Sequence, residues 1–182
     1  MSPESSPPAV EPLFDEQTVR DSVAVLGRQL TAELGDEDPL LIALLGGSVI
    51  FLADLVRAID RPVRFEFIDA DYHVDPGAAE DGLLSIRYPI PIDIAGQSLL
   101  VLKDVVSSAV TEPYLEQQLR DHGAREVRFA ALIDMPDERK TAFDLQYRAL
   151  VTHRHGLLVG YGLKHQGRFG NLPYVGRLAD GS

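Results

Sequence analysis

After Phe14, apolar residues recur at three- and four-residue intervals (Val19, Val23, Leu26, Leu30, Leu34). That spacing predicts an amphipathic helix stopped at Gly35. Leu40 to Leu45 reads LLIALL, a continuous apolar run of the kind found in a strand buried on both faces. Gly46-Gly47-Ser48 turns it into a second helical pattern, VIFLADLVRAI, which ends before Arg61-Pro62. Val63 to Ile68 is the next expected strand, and Leu83 to Tyr88 a short one before a turn at Asp93 to Gln97. Between them DADYHVDPGAAEDG, residues 69–82, carries acids and glycines but no apolar face, and reads as a mobile loop. The run Leu99 to Leu102 predicts a central strand, followed by a helix through Tyr114, Leu115 and Leu119 to Gly123. Val127 to Ile133 and Leu157 to Val159 are further strands. Such alternation implies an α/β fold, a mainly parallel sheet flanked by helices, with ligands at the carboxyl ends of the strands. Residues 1–12, rich in Pro and Ser without a period, read as a flexible tail, and residues 13–182 as a single domain.

Composition narrows the partners. With 28 acidic against 17 basic residues the net charge is −11, the opposite of the positive footprint that nucleic acid or an anionic membrane surface demands. The absence of cysteine excludes disulfides, thiolate catalysis and zinc–thiolate sites. No apolar stretch is long enough to span a bilayer, and the N-terminus has no basic segment ahead of an apolar one, so the expected compartment is the cytoplasm.

Candidate chemistry gathers where strands end. In LVLKDVVSSAVT, residues 100–111, an apolar run ends in Lys103-Asp104, small hydroxyl residues follow, and Thr111-Glu112-Pro113 reads as a helix start. Ser107, Ser108, Ala109, Val110 and Thr111 form a phosphate cradle if their amides point inward at that helix start. They form an ordinary capped helix if Thr111 is simply its N-cap, with Pro113 in the first turn. Gly46-Gly47 either offers amides to a pyrophosphate or is the small turn that its strand–helix junction needs. Asp69, Asp71 and His73 give a metal site or a solvated loop; His153 and His155, flanking Arg154, read as a surface turn. Lys103 is expected to pair with Asp104 or with another acid nearby.

LLIALLGGSVIFLADLVRAI (residues 40–59) and VGYGLKHQGRFGNLPYVG (residues 159–176) resemble the hypoxanthine–guanine phosphoribosyltransferases, members of the type I phosphoribosyltransferase fold. The resemblance runs from Leu13 to Arg177. It implies a five-stranded, mainly parallel sheet flanked by helices, a small hood built from both chain ends, and a homodimer or tetramer. The family joins a 6-oxopurine to phosphoribosyl pyrophosphate with magnesium, giving IMP or GMP and pyrophosphate. Its signature places two adjacent acids at the ribose and the metal, then two apolar residues, Asp-Thr-Gly, one variable residue and Thr. That Asp is the proposed general base.

Against this pattern the chemistry residues depart while the scaffold matches. The ribose and metal positions are Lys103 and Asp104, so Asp104 is the remaining candidate metal ligand. Ser107 stands at the base position, Ser108 at the threonine and Ala109 at the glycine, whereas Thr111 is kept. The pyrophosphate loop carries Gly46-Gly47 with no cation after Leu45. At the purine pocket the stacking position is Leu157, beside Leu158, and the acid after Gly-Tyr-Gly-Leu is Lys164. The pyrophosphate arginine falls at Gly170, the lysine to the purine oxygen near Leu145 or at Lys140, and the mobile-loop Ser-Tyr at Asp71-Tyr72. Three functions follow from the resemblance. One is a family member with lost or reduced transfer that keeps a purine nucleotide, phosphate or phosphoribosyl pyrophosphate. Another is an active transferase using Mg²⁺, in which Asp104 and the backbone loops suffice for slow turnover; whether Asp71 or Asp75 replaces a missing acid stays open. The third is a structural partner of an active homologue that binds no small ligand.

Overall fold

The computed structural model describes residues 9–35, 37–73, 83–87 and 92–179, with backbone alone at 70–73 and 83–87. Six strands form the main sheet: β2 (Leu40–Leu44), β3 (Arg64–His73), β4 (Leu83–Arg87), β5 (Ser98–Val106), β6 (Glu126–Asp134) and β7 (Tyr147–Val151). Their order is β4-β3-β2-β5-β6-β7. Five run parallel, and β4 pairs antiparallel with β3 at the edge. The apolar runs explain the layering, because alternate residues of one strand feed opposite cores. Leu41, Ala43, Leu100, Leu102, Ala130 and Leu132 pack with helices α1 (Glu16–Leu34) and α2 (Ser48–Ala58). Leu40, Ile42, Leu99, Val101, Phe129 and Ala131 pack on the other face with Leu115 and Leu119 of α3 (Thr111–Asp121).

A second, three-stranded sheet joins β1 (Val10–Phe14), β9 (Val175–Leu178) and β8 (Leu158–Val159), in the order β1-β9-β8. It is the hood from both chain ends. Four expectations change. Val10 to Pro12, read as part of the tail, pair with Gly176 to Leu178 in β1. Asp69 to His73, read as loop, extend β3 because β4 supplies a partner, Asp69↔Arg87 through His73↔Leu83; residues 74–82 lie outside the described residues. The strand at Leu158–Val159 belongs to the hood, and the main sheet ends instead on β7, whose mixed sequence YRALV hides its apolar face. Finally, β5 continues past Leu102 to Val106, because its ladder with β6 does.

α1 and α2 touch at Gly27, where a Cβ would come within 2.5 Å of the Ala58 Cβ and 2.7 Å of its backbone. Gly27→Ala gains about 1 kcal/mol of helix propensity but forces two backbones apart, at a cost of about 1–3 kcal/mol. Urea unfolding of this variant is expected to show a lower midpoint with an unchanged slope.

Tyr161, in the segment between β8 and β9, is buried and donates a hydrogen bond to the Asp54 carboxylate of α2. Burial, and then that hydrogen bond, raise its phenol well above the usual range. The unfolded chain releases the proton near pH 10, whereas the folded chain holds it. This stabilisation is therefore intact below about pH 10 and lost as pH rises further. Tyr161→Phe is expected to lose about 1 kcal/mol at neutral pH and to show a flatter stability profile in alkaline denaturation.

Candidate functional site

Three strand ends and the hood converge on one cavity of about 600 Å³. The β2–α2 turn brings Gly47, the end of β5 brings Asp104, Val105 and Ser107, and the stretch after β6 brings Met135 and Glu138. The hood side adds Gly156, Leu157, Leu158, Leu163 and Lys164. Gly47 is held between two neighbours. A Cβ there would overlap the Asp104 carboxylate, and the Gly47 carbonyl lies 2.5 Å from where a Cβ on Gly162 would be. Gly162, with φ +97°, holds a backbone that other residues adopt only with strain. The tight fit seats the Gly-Tyr-Gly-Leu element directly on the β2–α2 turn.

Asp104 keeps one carboxylate oxygen on the Val105 amide, at 2.8 Å. It is a hard oxygen donor on the cavity wall, and a magnesium ion carried on a diphosphate needs only one or two protein carboxylates. Asp104 fits that role. Lys103 turns away from the cavity: its ammonium meets Glu112, in the first turn of α3, at 3.2 Å, with the Glu112 side chain almost fully buried. Glu112 also accepts a hydrogen bond from the Thr111 hydroxyl, at 3.2 Å. Thr111 is therefore the first helical residue and not the N-cap. That place is taken by Val110, whose side chain has no capping oxygen.

The loop after β5 keeps a special backbone. Ala109 sits at φ +56°, left-handed and buried. Among the described residues, the amides of Ser107, Ser108 and Ala109 donate no hydrogen bond to another residue; Val110 N–H makes only a long one, 3.5 Å, to the Ser108 hydroxyl. Lys164 places its stem over Gly170, where a Cβ would meet Lys164 Cγ at 2.7 Å.

Of the residues expected at the site, the cavity takes in Gly47, Asp104, Ser107, Leu157, Leu158 and Lys164. Gly46, Ser108, Ala109, Val110 and Thr111 adjoin the lining residues Gly47 and Ser107 along the chain without lining it themselves, and Lys103 belongs to its ion pair. Neither Leu145, which is buried in the α3-side core, nor Lys140 lines it; Met135 does. The backbones of Asp71 and Tyr72 lie in β3, while their side chains, and Asp75, lie outside the described residues. His153 and His155 are exposed as expected, each against an acid of the 3₁₀ turn Pro136–Glu138: Asp137 at 2.9 Å and Glu138 at 3.2 Å. Sequence reasoning missed Asp134, Met135, Glu138 and Arg139. The signal was present in ALIDMPDER, an apolar strand ending in an acid with a charged turn behind it.

The phosphoribosyl transferase domain matches residues 10–152. A hypoxanthine-guanine phosphoribosyltransferase of Streptococcus pneumoniae is 30% identical over 92% of this chain and 92% of its own length. Its counterpart in Bacillus subtilis is 30% identical over 91% of each chain. A bifunctional TilS/HprT protein of Listeria innocua is 31% identical over 91% of this chain, which spans 25% of that longer protein. Among solved structures, a hypoxanthine-guanine phosphoribosyltransferase of Bacillus anthracis superposes with a TM-score of 0.84 at 27% identity, covering 93% of this chain and 98% of that one. The chain thus belongs to the hypoxanthine-guanine phosphoribosyltransferase family, with the type I phosphoribosyltransferase fold.

The Lys103–Glu112 pair supplies a test. Glu112→Ala leaves a largely buried ammonium without its partner, and a loss of about 3 kcal/mol is expected. Replacing both, as Lys103→Met with Glu112→Leu, is expected to fall within about 1 kcal/mol of the parent in chemical denaturation.

Proposed function

We propose that this protein binds a purine nucleotide with its phosphate on the loop Ser107–Thr111, and that phosphoribosyl transfer is lost or strongly reduced. The observation that carries the binding half is the left-handed Ala109. An L-residue costs roughly 1–2 kcal/mol in that conformation, and a strained backbone persists where its surroundings over-determine it, as at active sites, ligand clamps and switch regions. The amides of Ser107, Ser108 and Ala109 stand beside the α3 N-terminus, which favours an anion. Lys164 adds a cation on the cavity wall, with no ion pair among the described residues. The relatives named above, which carry purine specificity in their names, point to the base that accompanies the phosphate.

The transfer half rests on proton chemistry. Ser107 at the base position cannot accept a proton near neutral pH without a stronger base beside it, which costs about 10²- to 10⁴-fold in rate. Lys103 in place of an acid removes the acceptors for a ribose hydroxyl. Magnesium bound on a diphosphate would be held by Asp104 and would offset charge on the departing pyrophosphate. Cytoplasmic location and a homo-oligomeric state belong to the same reading; among the described residues no helix is long and apolar enough to cross a membrane.

Two measurements test this reading. GMP, IMP or phosphate at about 100 times its dissociation constant is expected to stabilise the fold by about 2.7 kcal/mol. Guanine or hypoxanthine with phosphoribosyl pyrophosphate and magnesium is expected to give no nucleotide, using protein from a host without purine transferases. Turnover that Asp104→Asn abolishes overturns the loss of activity and makes the protein an active transferase. No turnover and no stabilisation by any of the three overturns the binding reading and leaves a structural partner.

A further inference from the structure

Four consecutive carbonyls of the loop are tied down on one side. Arg139 donates to Val106 O at 2.8 Å and to Ser107 O at 2.6 Å. The Lys140 amide donates to Ser108 O at 2.9 Å, and the Thr141 hydroxyl to Ala109 O at 2.6 Å. Residues 139–141 thus run along the loop as a strap, taking its acceptors one by one.

In a planar trans peptide the C=O and the following N–H point in opposite directions. Fixing the carbonyls of Val106, Ser107, Ser108 and Ala109 toward the strap therefore turns the amides of Ser107, Ser108, Ala109 and Val110 away from it. An anion seated on this loop meets donors, because the acceptors that would repel it face the other way. The left-handed Ala109 lies within this strapped stretch, its carbonyl held by Thr141.

The strap is itself anchored. Asp134, at the end of β6 and buried, receives the Arg139 guanidinium on one carboxylate oxygen and the Arg148 guanidinium on the other, the latter at 2.9 Å. The Arg139 side chain is only 18% exposed. Arg139 does not line the cavity, so it acts through the loop.

We infer that Arg139, fixed by Asp134, together with Thr141 positions the phosphate loop by holding its carbonyls outward, and so sets affinity for the phosphate of a ligand but not for its base. The inference rests on the nucleotide-binding reading above. Calorimetry with GMP and with guanosine, on the full chain, tests it. Arg139→Met is expected to weaken GMP about tenfold or more, the worth of one or two charged hydrogen bonds, with guanosine unchanged within about twofold. Thr141→Val, which leaves the Asp134 anchor untouched, is expected to weaken GMP a few-fold, and Thr141→Ser to restore it. Equal losses for GMP and guanosine, or no loss for either, overturn the inference. Should the parent bind neither compound, the binding reading fails, and the amide resonances of residues 107–110 decide the inference alone. A shift of the Val110 amide in Thr141→Val that Thr141→Ser reverses supports it; an unmoved resonance overturns it.

Discussion

The parallel ladder between β5 and β6, from Ser98↔Glu126 to Val106↔Asp134, sets the geometry of everything at the carboxyl end of the sheet. Its middle is apolar on both faces, so burial alone cannot tell one register from the next. The polar ends can. At the start Ser98 accepts from Arg125 at 2.8 Å and donates to Glu126 at 3.4 Å. At the finish Arg139 bridges the two strands, its guanidinium meeting the buried Asp134 of β6 and the Val106 carbonyl of β5, the latter at 2.8 Å. A slip of one residue would break that bridge and carry the whole loop along β5. Fold and site thus share one registration device.

Charge beside the site is compensated locally. Lys103, near the end of β5, is answered by Glu112 in the first turn of α3. The pair ties β5 to α3 across the loop between them and neutralises an acid that is almost fully buried. At the other wall Lys164 and Gly170 make a matched pair: the lysine stem fills the space above a residue that has no side chain. In both places an immediate neighbour completes the charge or the packing, and the backbone superposes on a family structure with a TM-score of 0.84.

Much of the sheet was legible because its strands are long apolar runs: LLIALL and VRFAALI announce burial on both faces. α1 was legible through its helical period, and its five predicted face residues are all buried. What escaped were elements whose identity depends on a distant partner. β1 pairs with β9 at the far end of the chain, β3 gains Asp69 to His73 only through β4, and β7 alternates too briefly to stand out. At the site, Gly47, Asp104, Ser107 and Lys164 could be located from flanking motifs. ALIDMPDER marked a charged turn after a strand, but not which acceptors Arg139 takes, because main-chain carbonyls leave no mark on residue type.

The hood has a consequence for the order in which the molecule can be completed. Val10 pairs with Leu178, and the Ala179 amide donates to Ala9 O at 3.0 Å, so a strand that precedes the whole α/β core is closed by one that follows it. β8 also depends on β9, and Leu158 of β8 walls the cavity. During synthesis the main sheet has all its strands by Val151, while the hood still waits for Val175 to Leu178. A nascent or clipped chain can therefore carry the α/β core with an unfinished ligand cavity. Closure of the pocket reports arrival of the C-terminal strand.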